Sequence, residues 1–521
     1  MENRESLTGR ISEKIIGNTI FNYLGNIWQI LISFFLTPYI LRQLGMERFG
    51  IWAVTFAITS YFSLLDLGVG GSFTKYIAEY DAKKDVRRIN NVISHGFLFY
   101  LPLGALQFAI GLLIIEHITD FIKISAELRT EAKDVFLLGL IAFTIQNIGI
   151  PLRSLFEGFQ KMGLLNWIRA LSTIPRIAGT VFFLQMGYGI IGLAINEIIL
   201  AIIINIISLF YSYRIFPEMK MVPRELDREI LKNVFTFGYK LQVSRIAYLI
   251  NFQTDKFIIG YFLNTVMVGF YDIGARVASL VRSFPVLMVS AITPAASELD
   301  SKGSSEMVWK LYIKSSRYLL LFTTPLFVFT LFNSNTILEV WLGAVYAPAV
   351  LVLQILCVAY YFNLISGAAN VIAIGIGKPE FEMETSIYAS IINIGLSILL
   401  IMKYGLAGCV GATALSFVFY SFFLLYKFHS YYGKSLSIFL RLMALPLLSS
   451  LVSASLALGF QQLFVSQSYL VKVMVFGGEC LIFVIVYGAL AYLLKLVGSE
   501  EMEIARNMIR RFNYGKAYKE E

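Results

Sequence analysis

The chain has 521 residues, of which 57% are hydrophobic, 15% aromatic and only 15% charged, and its mean hydropathy is +0.70. Soluble domains carry about 25% charged residues, and a soluble chain of this length would be divided by polar linkers that are absent here. A soluble globular protein is therefore excluded, and the net charge of +9 has to be explained on a chain whose apolar surface faces lipid.

A hydrocarbon core about 30 Å thick needs roughly 20 apolar residues of helix. Read in chain order, the sequence predicts about fourteen such spans, at 15–41, 49–76, 92–116, 131–155, 164–186, 189–212, 233–262, 266–293, 311–333, 347–373, 383–403, 406–428, 438–463 and 470–496. The first run is longer than the apolar core of a signal peptide and no small-residue cleavage pattern follows it, so it is expected to be a retained helix. The expected fold class is an all-α polytopic membrane protein with both termini on the same side. With the amino terminus in the cytoplasm, inner segments hold roughly 30 of the 43 cationic residues and outer loops about eight, which is the positive-inside bias. Inner clusters are Lys83, Lys84, Arg87 and Arg88, then Arg214, Lys220, Arg224, Arg228 and Lys232, then Arg506, Arg510 and Arg511. Dispersed over short loops in this way, the positive charge reports orientation and not nucleic-acid binding.

The inner segment 214–232, with Pro217 and Pro223, is the expected junction between halves. The chain then reads as a first lobe at 1–213 with spans 1–6, the junction at 214–232, a second lobe at 233–428 with spans 7–12, and 429–521 with spans 13 and 14 and a cytoplasmic tail. A shift of 219 places lays Phe49-Gly50-Ile51-Trp52 over Val268-Gly269-Phe270-Tyr271, and Ala78-Glu79-Tyr80-Asp81 over Ser297-Glu298-Leu299-Asp300, with Lys83 over Lys302. If this is a duplication, the lobes are parallel repeats about an axis along the membrane normal, with a central cavity.

The run Leu44-Gly45-Met46-Glu47-Arg48-Phe49-Gly50-Ile51-Trp52, followed by Leu64-Leu65-Asp66-Leu67-Gly68-Val69-Gly70 and Thr74-Lys75-Tyr76-Ile77-Ala78-Glu79-Tyr80, resembles the start of Wzx-type oligosaccharide flippases. These belong to the multidrug/oligosaccharidyl-lipid/polysaccharide exporter superfamily. Thr254-Asp255-Lys256-Phe257-Ile258-Ile259-Gly260 and the hairpin Gly375-Ile376-Gly377-Lys378-Pro379 are further points of likeness. The resemblance implies a transporter in the cytoplasmic membrane that moves an oligosaccharide on a polyprenyl diphosphate outward by alternating access. It also implies membrane lipids as surroundings and a polysaccharide polymerase and glycosyltransferases as possible partners.

Ionisable residues within spans are costly and mark function by default. The deepest cations are Arg176, Lys240, Arg245, Arg276 and Arg282, and the acids are Asp66, Glu197, Asp255, Asp272 and Glu479. Asp272 and Arg276 stand at i, i+4, so an intrahelical pair is expected. The other four cations have no acid three or four residues away and need an interhelical acid, water or an anionic ligand. A diphosphate meets that need, because guanidinium forks bind phosphate oxygens. Arg176 follows Pro175, which opens the helix in the middle of span 5. Arg276 and Arg282 point about 120° apart, so at most one faces the middle of a cavity. Lys240 has snorkelling to the inner surface as an equal reading. Asp66, Glu197, Asp255 and Glu479 are candidates for coupling to a proton, sodium or the membrane potential, with Asp66 favoured as an anchor of its helix end.

The cysteines Cys357, Cys409 and Cys480 and the histidines His95, His117 and His429 form no disulfide or zinc pattern. Walker motifs and nucleophile constellations are also missing from the sequence, so no cofactor and no enzymatic step are expected. A drug or small-cation exporter on the same fold is the first alternative and calls for a net acidic cavity. A membrane-embedded glycan polymerase is the second and calls for a sizeable polar loop.

Overall fold

The computed structural model describes residues 28–220, 228–290, 292–464 and 468–496, and among them every regular element is helical. Lipid offers no hydrogen-bond partner, so a spanning backbone must satisfy its own amides and carbonyls. The helices are α1 (28–44), α2 (Met46–Phe62), α3 (Val69–Ala82), α4 (Val86–Phe121), α5 (Arg129–Ile148), α6 (Ile150–Gly158), α7 (Met162–Gln185), α8 (Gly189–Ile215), α9 (Arg228–Phe262) and α10 (Thr265–Ser290). They continue as α11 (Ile292–Ser301), α12 (Ser305–Phe332), α13 (Ser334–Leu342), α14 (Ala347–Ile365), α15 (Gly367–Gly375), α16 (Glu380–Tyr431), α17 (Ser437–Gln462) and α18 (Tyr469–Leu493). The start of the first expected span, the middle of the junction with Pro223 and Arg224, and the basic residues Arg506, Arg510 and Arg511 lie outside the described residues.

Ten helical stretches among the described residues are long and apolar enough to cross a bilayer, so the chain is a multi-pass helical membrane protein. α9 has the length to cross but carries seven charged residues. α16 has 52 residues, about 78 Å at 1.5 Å per residue and too long for one crossing. It changes direction at Gly405, whose φ of 58° and ψ of −136° suit only glycine. That residue falls between the expected spans 383–403 and 406–428.

Several expected spans are two helices, and the joints have local causes. Span 49–76 breaks where α2 tightens into the 3-10 turn Ser63–Asp66 and the backbone turns left-handed at Leu67 (φ 52°) and Gly68 (φ 72°). Span 131–155 breaks at Gly149, with Pro151 in the first turn of α6. Span 347–373 breaks at Ser366, between α14 and α15.

The chain divides into two compact units, 1–280 with 386–416 and 281–385 with 417–521. In the first, α5 packs on α4 and α8, α7 on α8, and α3 on both α6 and α9. Val69, Phe73 and Ile77 of α3 meet Val92, Ile93 and Tyr100 of α4 in one apolar cluster. In the second unit, α17 packs on α12 and α18. The buried face of α17 is a stripe of Ser449, Ser450, Ser453, Ala454 and Ala457, small residues that let helix backbones approach in lipid. Arg317 of α12 donates to the carbonyls of Lys495 (3.2 Å) and Leu496 (2.7 Å), closing the carbonyl end of α18 with a cation.

Residues matched by the 219-residue shift make some of the same contacts. Glu79 and Lys83 pair at 2.6 Å, and so do Glu298 and Lys302, their counterparts under the shift. α2 meets α10 with reciprocal contacts. A Cβ on Gly50 would lie 1.8 Å from the Thr265 carbonyl oxygen, and one on Gly269 would lie 2.8 Å from that of Met46. Thr265 and Met46 are themselves 219 residues apart, so the two contacts are reciprocal under the shift. Around it, Lys123 N donates to the Gly260 carbonyl (3.0 Å), Thr265 N donates to that of Lys123 (3.3 Å), and Glu47 Oε1 accepts from Ser125 N (2.9 Å).

Gly50→Ala needs backbone to move and is expected to cost about 1–3 kcal/mol, read as a lower unfolding midpoint in detergent. Gly163→Ala, with nothing within 4 Å of the added carbon, is the neutral control. Equal midpoints for the two variants would contradict the close contact.

Candidate substrate cavity

Pro175 lies inside α7, where it removes a backbone donor and strains the preceding turn. α8 holds that turn in place. Asn196 Nδ2 donates to the Arg176 carbonyl at 3.0 Å and to Thr180 Oγ1 at 3.3 Å. A Cβ on Gly179 would fall 2.1 Å from Asn196 Oδ1, so only glycine admits the clamp. The next residue of α8, Glu197, accepts from Arg176 Nη2 at 3.1 Å. The interhelical acid that Arg176 needs is thus one helix further along the chain.

This pair sits in a cleft of about 750 Å³, counting its open mouth, between α1, α2, α7, α8 and α10; Arg176, Glu197, Arg276, Trp52, Phe56 and Ser33 are on its wall. An adjoining cleft of about 1000 Å³ is lined by Trp52, Phe56, Gln146, Glu197, Arg245 and Tyr248. Trp52, Phe56 and Glu197 belong to both. The Trp52 and Phe56 rings meet edge to face with centroids 4.8 Å apart, forming a rigid apolar rib between the two groups of arginines.

Each cavity cation has a defined partner. Arg276 Nε bonds Asp272 Oδ2 at 2.6 Å, as the i, i+4 spacing predicts, and Lys256 Nζ bonds Asp272 Oδ1 at 2.8 Å. Arg276 Nη1 also donates to Ser33 Oγ at 2.8 Å. Two cations share one acid, so this triad carries a net positive charge. Arg245 Nη1 donates to Asp66 Oδ2 at 3.1 Å, and Tyr100 donates to the other oxygen of Asp66. Gln242 Nε2 donates to the Leu64 carbonyl at 2.6 Å beside them. Asp66, in the turn that follows α2, is thus tied to α9 and to α4.

The other residues singled out in the sequence lie elsewhere. Arg282 donates to Asn363 Oδ1 at 3.2 Å and stands over the Tyr360 ring at 5.8 Å. Lys240 is in α9, and its side chain is outside the described ones. Glu479 is completely buried on α18, and neither carboxyl oxygen has a hydrogen-bond partner among the described residues. Asp255 is buried where α9, α10 and α16 meet; its Oδ2 accepts from Tyr271 Oη at 2.9 Å and Thr413 Oγ1 at 2.7 Å. Asp255 Oδ1 and Asn251 Oδ1, one turn apart on α9, are both buried acceptors without a donor. Buried acceptors without a donor are expensive unless a proton or cation satisfies them.

A model of the family described as "Polysaccharide biosynthesis protein" matches residues 15–300. The chain belongs to that family. A putative O-antigen transporter of Shigella flexneri is 24% identical over 396 residues, covering 76% of this chain and 93% of that protein. A probable low-salt glycan biosynthesis flippase, Agl15, of Haloferax volcanii is 22% identical over 399 residues, covering 76% of this chain and 79% of that protein. Among solved structures, the lipid II flippase MurJ in an inward closed conformation has a TM-score of 0.65 at 19% identity, covering 93% of this chain and 99% of that one. An inward-facing multidrug resistance MATE family transporter of the MOP superfamily has a TM-score of 0.61 at 15% identity, covering 79% and 96%. At these identities the two structures establish the fold that this family member shares.

Sequence reasoning did not count Lys256 among the deep cations, although it stands beside Asp255 in the seventh expected span. In the structure the two side chains diverge to different partners. It also passed over Arg153, which donates to Asn205 Oδ1 (3.2 Å) and the Gln146 carbonyl (2.5 Å) at the α5–α6 joint.

Asp272→Ala leaves Arg276 and Lys256 facing each other and is expected to destabilise by about 3–5 kcal/mol. Asn196→Ala loses two hydrogen bonds and is expected to cost about 1–3 kcal/mol. Thermal unfolding in detergent checks both, and a wild-type midpoint for Asp272→Ala would remove the triad from the list of structural supports.

Proposed function

We propose that the protein is a flippase that carries a polyprenyl-diphosphate-linked oligosaccharide across the cytoplasmic membrane for surface polysaccharide synthesis, without making or breaking a covalent bond. One observation carries the reading: a family member with relatives named as transporters and flippases has a membrane-embedded cavity in which arginines outnumber acids. Arg176, Arg276 and Arg245 are the proposed diphosphate contacts, through forked, charge-assisted hydrogen bonds. The Trp52–Phe56 rib presents apolar ring faces of the kind on which sugars stack. The excess of arginines over acids disfavours a cation exporter, because an acidic lining would be needed to hold cationic drugs.

The membrane arrangement belongs to the same proposal. It has about fourteen crossings, with lobes at 1–213 and 233–428, two further crossings in 429–521, and both termini in the cytoplasm. A polysaccharide polymerase and glycosyltransferases would consume and supply the cargo. The driving force is assigned to the Asp255 site, where two donor-less oxygens and the Thr413 hydroxyl suit a small hard cation such as sodium, or a proton on the carboxyl. Glu479 is a weaker claimant for that role, since it is buried on α18 without the tyrosine and threonine hydroxyls that surround Asp255.

In proteoliposomes with a fluorescent lipid-linked oligosaccharide, Arg176→Gln and Arg276→Gln are each expected to slow flipping about tenfold or more, the equivalent of 1.4 kcal/mol. Asp255→Asn should remove the response to an imposed sodium or proton gradient. Wild-type rates in both arginine variants would exclude the cavity reading. A wild-type protein indifferent to sodium gradient, pH gradient and potential would exclude the coupling role of Asp255.

A further inference from the structure

We propose that Glu197 is a stand-in for the substrate: the diphosphate displaces it from Arg176, and the freed carboxylate takes up one proton from solvent. The proposal rests on the reading of the cavity as a diphosphate site.

Three observations lead to it. Arg176 is held by Glu197 through a single hydrogen bond from Nη2, although a guanidinium has five donors. The pair is also unequally exposed, with 39% of the Arg176 side chain accessible against 14% of Glu197. An anion entering the cleft therefore meets the guanidinium before it meets the carboxylate. Finally, Glu197 is the one acid on the described walls of both clefts, so whatever replaces it at Arg176 leaves it facing the same space.

Charge balance supplies the proton. Arg176, Arg276 and Lys256 against Glu197 and Asp272 leave one surplus positive charge. A sugar diphosphate lipid is a diester with roughly two negative charges, one on each phosphate. Binding it beside an ionised Glu197 would leave an uncompensated negative charge in a low-dielectric cavity, and would place that carboxylate against phosphate oxygens. A proton on the Glu197 carboxylate restores neutrality and turns a repelling acceptor into a donor for a phosphate or sugar oxygen.

The groups that set this balance are few. Facing Glu197 are Arg176 on α7, Arg245 and Tyr248 on α9, and Arg276 on α10. α1, α2 and α5 contribute only neutral side chains to the two clefts, among them Gln29, Trp52 and Gln146. Arg153 of α6 contacts α8 at Asn205, two turns beyond Glu197.

The sign follows from linkage. The bound state holds one more proton than the free state, so affinity is highest at low pH. It then falls by about tenfold per pH unit as pH rises between the pKa values of Glu197 in the free and bound protein.

The test measures binding of undecaprenyl-diphosphate N-acetylglucosamine to the full-length protein in nanodiscs at several pH values on both sides of neutrality. Because both phosphates of this diester stay ionised over that range, the slope reports the protein. Wild type should weaken as pH rises. Glu197→Gln, which is isosteric and already neutral, should bind at least as tightly as wild type at low pH and show no slope. An undecaprenyl-monophosphate sugar, with one charge fewer, should show a much smaller slope in wild type. A slope that persists in Glu197→Gln, or weaker binding of that variant than wild type at low pH with an unchanged unfolding midpoint, overturns the exchange. Arg176→Gln separates the two levels. If it binds as wild type does, the diphosphate reading of the cavity fails; if it weakens binding while Glu197→Gln keeps the slope, only the exchange fails.

Discussion

The structure depends on how an ionised side chain is tolerated in hydrocarbon. Four cations on the helices of the first unit come with an acid from another helix or another turn: Arg176 with Glu197, Arg245 with Asp66, and Arg276 and Lys256 with Asp272. Moving one such ion out of water costs several kcal/mol even after relaxation, so these pairs decide which helices must lie together. They tie α7 to α8, the end of α2 to α9, and α9 to α10. Apolar packing alone cannot do this in lipid, because the tails are as apolar as leucine.

The same pairs make the cavity suitable for an anion. A carboxylate that balances an arginine in the empty protein is a competitor that a diphosphate can outmatch, since it offers more oxygens and more charge to the same fork. The cavity is in this sense partly filled by its own acid. The Pro175 turn is clamped by Asn196 over Gly179, which fixes the backbone from which the Arg176 side chain extends. The Trp52–Phe56 rib stays rigid beside it.

Much of this was legible in the sequence, and the reasons differ by feature. Helical class and multi-pass character followed from apolar run length, which is a one-dimensional quantity. The Asp272–Arg276 pair followed from helical spacing, which is local. Arg176 and Glu197 were each singled out, but their pairing was not, because interhelical distance leaves no mark in a single sequence. Lys256 was not singled out, because its acid, Asp272, lies on the next helix, and a partner there leaves no mark in the spacing of a single sequence. The break at Leu67 was blurred for a different reason: only glycine advertises a left-handed backbone, and Leu67 adopts one without being a residue that does so readily. The donor-less oxygens of Asp255 and Asn251 are a property of three helices and had no sequence signal beyond an i, i+4 spacing.

The crossing of α2 and α10 has a further consequence. At Gly50 the other helix presents the backbone of Thr265 and Gly269, and at Gly269 it presents the carbonyl and the flexible side chain of Met46, so the two main chains approach closely with little between them. Because each glycine is pressed against main-chain atoms of the other helix, a larger residue at either position meets atoms that no substitution on that helix removes.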